Sequence, residues 1–263
     1  MRNSTEWLHH FQGNAERLLP IPWERGPELT GAEARAIADS VAEFQRGESG
    51  EGRRLTRYAE AYARATGDRD YPAAIRLFIG EEQRHARDLA RFLALNDLSL
   101  ASTTPTDTAF RRLRHLLGTL EISIAVLITA ELIAQVYYDA LRGATESIVL
   151  RQLCVQILGD EASHVEFQAE RLGILRAGRR LPLYWATMLF QRALFAATCC
   201  AIWPVHRPVF RSGGFTFARY WREAWRCFGD AFAASASVRQ RRRIPTPGRD
   251  AAEGSRLRAS RPG

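Results

Sequence analysis

Lysine is missing from this chain altogether: all 37 basic residues are arginine, a bias we read as genome composition before function. Cysteine is scarce and poorly spaced for metal chemistry. Cys154, Cys199, Cys200 and Cys227 form no Cys-x-x-Cys pair and no even framework of a small secreted fold. That excludes a zinc ribbon or rubredoxin-type module and points to reduced thiols in a cytoplasmic protein. An apolar N-terminal run is lacking too, because Glu6, His9 and His10 stand where a signal peptide would be hydrophobic, so export is not expected. The most apolar stretch, Tyr184 to Trp203, is interrupted by Gln191 and Arg192. It leaves about 11 clean residues against the roughly 20 of a spanning helix, so a buried core helix is expected, with membrane-surface contact as the lesser alternative. Strand alternation is absent as well.

Charge is present but unevenly placed. Of the net +8, residues 239–263 supply +6, with eight arginines against Asp250 and Glu253 in a stretch containing Pro, Gly and Ser. A disordered basic tail over 238–263 follows, and with a nearly neutral body no specific nucleic-acid partner is expected. The length of 263 residues with 46% apolar content is enough for a substantial core.

Helical signals fill the rest. Thr30-Gly31-Ala32-Glu33 is a capping box opening helix A, whose periodicity runs toward Tyr62 before Thr66-Gly67-Asp68. Asp70-Tyr71-Pro72 opens helix B, which continues to about Asn96. After a loop over 97–108, helix C runs from about Ala109 to Leu141, and helix D from about Glu146 to Leu175. An apolar helix is expected near 182–203 and an amphipathic one near 216–235. Short A–B and C–D connections make antiparallel hairpins. Helix B is about 38 Å long, and a 12-residue crossover reaches about 40 Å, just enough to return along it. The expected fold is all-α: a four-helix bundle of two antiparallel hairpins with one long crossover, plus additional C-terminal helices. Its parts are an N-terminal extension (1–29), the bundle (30–178), C-terminal helices packed on it (179–237) and the tail.

One pattern occurs twice, Ile79-Gly80-Glu81-Glu82-Gln83-Arg84-His85 and Leu158-Gly159-Asp160-Glu161-Ala162-Ser163-His164. Residues three apart share a helix face, so each copy aims a carboxylate and an imidazole at one point, as a metal requires. The bare Glu-x-x-His spacing is weak, with about 0.4 such pairs expected by chance, and Glu6/His9 shows it without the surrounding context. In the bundle, helices A and C should each add an inward carboxylate at matching depth. Glu131 qualifies, a lone charge in the apolar run Ile122–Tyr138, where an unpaired acid is rarely buried. Glu48 is the other, flanked by Glu43 and Glu51, with Gly47 before it read as a close approach.

Other polar residues fall on these faces. Glu81 and Asp160 either accept the second ring N–H of the histidines or are solvated acids. Gln45, Gln135 and Gln168 could line a substrate or proton path. Tyr138 is either a redox-active or hydrogen-bonding neighbour or an ordinary core tyrosine. Glu121 is rotated away, and His115 and His206 are expected at the surface.

The order Glu, Glu-x-x-His, Glu, Glu-x-x-His resembles the ferritin-like di-iron carboxylate superfamily, which includes rubrerythrins, ribonucleotide reductase small subunits and many oxygenases. Phe44-x-x-Gly47-Glu48-Ser49 is similar to the first-helix segment of rubrerythrin-like members, and the acid-Glu-x-x-His form to the oxygenase branch; the likeness covers roughly residues 31–175. It implies that Glu48, Glu82, His85, Glu131, Glu161 and His164 bind two iron ions, with Mn or a mixed Fe/Mn pair also suited to such ligands and Glu82 and Glu161 as bridges. The activity implied is that of an oxidoreductase or oxygenase acting with O2 or peroxide on a small-molecule substrate. A separate electron donor is expected because rubredoxin-type cysteines are missing, and a homodimer is compatible. The alternatives are iron storage in a shell-forming oligomer and a metal-free salt-bridge cluster, which burial of so many carboxylates disfavours.

Overall fold

Short polar side chains fix where the helices begin. Thr30 accepts from the Glu33 backbone N–H while Glu33 reaches back to Thr30 N, and Asn3 and Glu6 repeat the device. Thr119 and Ser147 cap two later helices in the same way. The computed structural model describes residues 1–50, 52–101 and 118–243, and among these every regular element is helical. In order they are α1 (Ser4–Glu16), a 3-10 turn (Trp23–Arg25), α2 (Gly31–Glu48), α3 (Arg53–Thr66), α4 (Tyr71–Leu95), α5 (Leu120–Gly143), α6 (Ile148–Arg176), α7 (Leu181–Ser212) and α8 (Phe217–Arg243).

Helix α2 lies on α4, α5 lies on α6, and α4 meets α6, so the four elements that carry the repeat and its two extra acids share one interior. Helix α3 packs on α4 and α5, α7 on α2 and α5, and α8 on α6 and α5. Helix α1, from the N-terminal extension, docks on α4, and its buried Trp7 and Phe11 pack on Phe167 of α6. Trp7 also donates its indole N–H to Glu170 at 2.7 Å. Where α6 meets α8 there is room only for glycine: a Cβ at Gly173 would stand 2.5 Å from the Ser235 carbonyl.

Several boundaries differ from expectation. Helix A is two helices, broken between Glu48 and Arg53. Gly52 sits at φ 63°, and a Cβ there would come within 2.4 Å of Ile79 Cδ1, so the break needs glycine both for conformation and for space. The expected start of helix C near Ala109, most of the 97–108 loop, and His115 lie outside the described residues. The last helix continues to Arg243, beyond the 216–235 expected for it and into the residues expected as tail; Arg239 is buried and donates to the carbonyls of Arg176 and Arg179. Residues 244–263 lie outside the described set.

Helix α7 corrects the reading of a buried core helix. It runs on through Pro204 and Pro208, because Ile202, His206, Val209 and Phe210 bury the opposite side. Its faces are reversed relative to polarity: Gln191 is fully buried, bonded to Ala125 O, Thr129 and Arg176, whereas Leu189 is 70% exposed beside exposed Leu181, Leu183, Trp185 and Phe190. By length and hydropathy, Leu120–Gly143 and Leu181–Ser212 would both suffice to cross a membrane; the first is mostly buried inside the protein, the second only one-third.

Candidate metal centre

Four helices bring the acids and histidines to one place. Glu48 closes α2, Glu82 and His85 sit on α4, Glu131 in mid α5, and Glu161 and His164 on α6. His85, Glu131, Glu161 and His164 are each buried to 4% exposure or less, in a protein interior where unpaired charge is very costly. Their donor atoms form two groups, each with all atoms within 4.8 Å of one another: Glu48, Glu82, His85 and Glu161, and Glu82, Glu131, Glu161 and His164. Glu82 and Glu161 belong to both.

The histidines are oriented by acids on the facing helix. His85 Nε2–H donates to Asp160 Oδ2 at 3.0 Å, and His164 Nε2–H to Glu81 Oε2 at 2.8 Å. Carboxylates only accept, so these bonds assign the proton to Nε2 and leave the Nδ1 lone pair facing the cluster. There His164 Nδ1 stands 2.9 Å from Glu82 Oε1, 3.7 Å from Glu161 Oε2 and 3.9 Å from Glu131 Oε2. His85 Nδ1 is 3.7 Å from Glu161 Oε1. Both Nδ1 atoms, both Glu161 oxygens and Glu82 Oε1 are buried without a hydrogen-bond partner. Lone pairs facing lone pairs in a dry site call for a cation between them, and an oxygen-rich set with one imidazole per group suits Fe or Mn better than zinc. The residues therefore fit a two-ion centre.

The protonation of the bare cluster says the same. Burial, then the Glu82 charge, pushes Glu48 well above the usual carboxylate range; burial, then Glu131, does so for Glu161. Glu131 is held down at about 2 despite its burial, by the adjoining Glu161 carboxyl and by His164. Burial alone would depress His164, but the surrounding acids raise it well above the ordinary imidazole range. In the bare cluster these directions favour retained protons, which a bound cation would displace.

The surrounding residues sort themselves by contact. Glu81 and Asp160 are buried and bound to histidine rather than solvated; Asp160 also accepts from Arg84 at 2.6 Å and from Gln156. Gln168 donates to Glu131 Oε1 at 3.0 Å. Gln45 and Gln135 donate to the backbone carbonyls of Ala86 and Glu161 and so tie helices together. Tyr138 donates its hydroxyl to Glu48 Oε1 at 2.9 Å. Glu121 lies apart, paired with Arg176 and Arg179. Glu6 caps α1 and His9 is exposed, so that pair takes no part.

Sequence reasoning missed the covering aromatics and one buried network. Phe78 meets the His164 ring edge-on at 4.7 Å, and Phe11 lies 6.1 Å away, so α1 closes one flank. Nothing in the periodicity of α1 announces that role. His206 is not at the surface: it is 1% exposed and bonded through Nδ1 to Ser40 Oγ at 2.7 Å, and Ser40 in turn donates to the Tyr137 hydroxyl at 2.9 Å. Burial lowers His206 to about 4. A base depressed in the folded state is protonated more readily when unfolded, so its stabilisation is present above about pH 6.5 and lost as pH falls toward 4. His206→Asn should flatten that part of the stability profile, removing on the order of 3 kcal/mol of pH dependence between the two values in denaturant titrations.

The repeat's glycines have no packing role. Gly80 and Gly159 are exposed on their helices and a Cβ on either would meet nothing within 4 Å; the same holds for Gly47, which marks no close approach. Gly80→Ala and Gly159→Ala should each raise stability by up to about 1 kcal/mol with metal content unchanged, as read by chemical denaturation.

Comparison with protein-family models, curated proteins and solved structures finds no match to this chain.

Proposed function

We propose that the chain is a di-iron, or Fe/Mn, carboxylate oxidoreductase of the ferritin-like four-helix class, with α2–α3, α4, α5 and α6 as its bundle. The observation that supports this best is the pair of donor groups sharing Glu82 and Glu161. In this reading Glu48 and His85 serve one ion, Glu131 and His164 the other, and Glu82 and Glu161 lie between them. The ions supply redox chemistry with O2 or peroxide when bound. The chain's own residues fix the ligands: Asp160 and Glu81 hold the imidazoles, Gln168 holds Glu131, and Tyr138 holds a proton at Glu48. Phe78 and Phe11 keep water from His164. The substrate is a small molecule, and electrons come from a separate donor. A cavity of about 540 Å³ that reaches Glu48 and Glu82 favours an enzyme over a storage protein.

Anaerobic loading with Fe(II) should give two ions per chain, and admission of O2 should then produce an absorbance change with rapid O2 consumption and no mineral. Fewer than one ion per chain after reconstitution would sink the two-ion reading; accumulation of iron mineral would return the protein to storage.

A further inference from the structure

The cavity beside the centre has a chemical character of its own. It opens at the break between α2 and α3, beside Gly50 and Gly52. Its inner end is Glu48 and Glu82, one from each side of the first donor group. Its wall is apolar, made by Leu55, Phe78, Ile79 and Leu127, the first three of them buried. Its mouth is basic: Arg46, Arg53, Arg54 and Arg57 all line it. No acid other than Glu48 and Glu82 lines it among the described residues, and both of those face the donor cluster. Arg54 and Arg57 take part in no ion pair among the described residues, and Arg57 is exposed while Arg54 is half-buried. In a chain whose acids elsewhere are closely paired with arginine, as at Asp160, Glu121 and Asp68, the Arg54 and Arg57 guanidiniums at this mouth, with no acid partner among the described residues, are a place for an anion.

Building on the proposed oxidoreductase function, we propose that this cavity binds an amphiphilic organic anion, its carboxylate or phosphate head at Arg54 and Arg57 and its apolar body along Leu55, Phe78, Ile79 and Leu127, which places the far end beside Glu48 and Glu82. The charged head sets orientation, and the apolar wall sets how far the chain enters. A fork-shaped guanidinium suits either oxyanion, so the shared feature is the anionic head. The cavity volume lies within the range of small-molecule pockets.

Calorimetry on the full chain, metal-loaded and metal-free, tests this with four ten-carbon probes: decanoate, decyl phosphate, decanol and decylamine. Decanoate or decyl phosphate should bind at least about tenfold more tightly than decanol, and decylamine should be weakest, since charge-assisted hydrogen bonds to two arginines contribute on this order. The tighter of the two anions names the head group. The Arg54→Ala/Arg57→Ala pair should lose that advantage while binding decanol unchanged and keeping its metal content. Leu127→Trp, which fills the wall, should weaken all four. Equal binding of anion, alcohol and amine, or full anion binding by the double arginine variant, overturns the proposal. Selective anion binding by a chain that takes up no metal keeps this inference and removes the di-iron reading instead.

Discussion

Replacing Glu161 with alanine is expected to empty both metal positions, from two ions per chain to fewer than one by elemental analysis after iron reconstitution. Glu161 is fully buried and its oxygens belong to both donor groups, whereas Glu48 belongs to one and Glu131 to the other. Glu48→Ala and Glu131→Ala should therefore each spare one position more than the other. The same substitution has an opposite consequence in the metal-free protein. Both Glu161 oxygens lack hydrogen-bond partners there, a desolvation cost of about 1–3 kcal/mol for each unsatisfied polar group. The one methylene lost is worth about 0.8 kcal/mol of burial. Metal-free Glu161→Ala should thus melt close to, or above, metal-free wild type. Metal-loaded wild type should exceed both, since a ligand at about 1,000 times its dissociation constant adds about 4 kcal/mol. A variant that still holds two ions, or one that unfolds far below the metal-free wild type, contradicts this account.

The second large effect concerns which acid serves which ion. Along the chain Asp160 neighbours Glu161 and His164, and Glu81 neighbours Glu82 and His85, but the hydrogen bonds run across the interface between α4 and α6. Asp160→Ala should weaken the group containing His85 and Glu48, and Glu81→Ala the group containing His164 and Glu131, each by roughly 10–100-fold in metal affinity. Asp160→Asn keeps an acceptor for His85 Nε2–H and should recover part of the loss. Because Asp160 also binds Arg84 and Gln156, its alanine variant should be the more damaging of the two. Spectroscopic titration with Co(II), in which the two positions fill separately, reads the pattern. Losses that follow sequence adjacency rather than the cross-helix bonds would contradict the assignment.

How much of this was legible in the sequence depends on how local the determining physics is. The repeat could be found because a three-residue spacing on a helix is a local geometric fact. Glu131 could be found because a single charge in an apolar helix needs a partner wherever that helix lies. The capping box at Thr30 marks a helix start through bonds made within three residues, and at Asp70-Tyr71-Pro72 the start is marked by the early proline, the Asp70 side chain making no cap bond; the helices begin there. Gly47, Gly50 and Gly52 cluster within six residues and were a readable signal for the break after Glu48; reading Gly47 as a packing glycine inside a continuous helix hid it, and with it the mouth of the cavity.

Helix α7 shows where such reading fails. Its hydropathy is a sum over residues, blind to which side carries what, and only the neighbours Ala125, Thr129 and Arg176 turn Gln191 inward and leave Leu189 outside. The burial of His206 is invisible in the sequence for the same reason: it comes from Ser40, Phe44 and Tyr137, which lie 60 or more residues away.

The helical character of the described residues and six candidate ligands on four helices are legible in the sequence, because helix periodicity and the cost of burying charge act within a segment. Tertiary structure alone decided that Glu82 and Glu161 stand in both donor groups, that each histidine is held by the opposite helix's acid, that α1 covers the centre, and that an arginine-lined cavity reaches it. Those are relations between segments distant in sequence, set by how the helices pack.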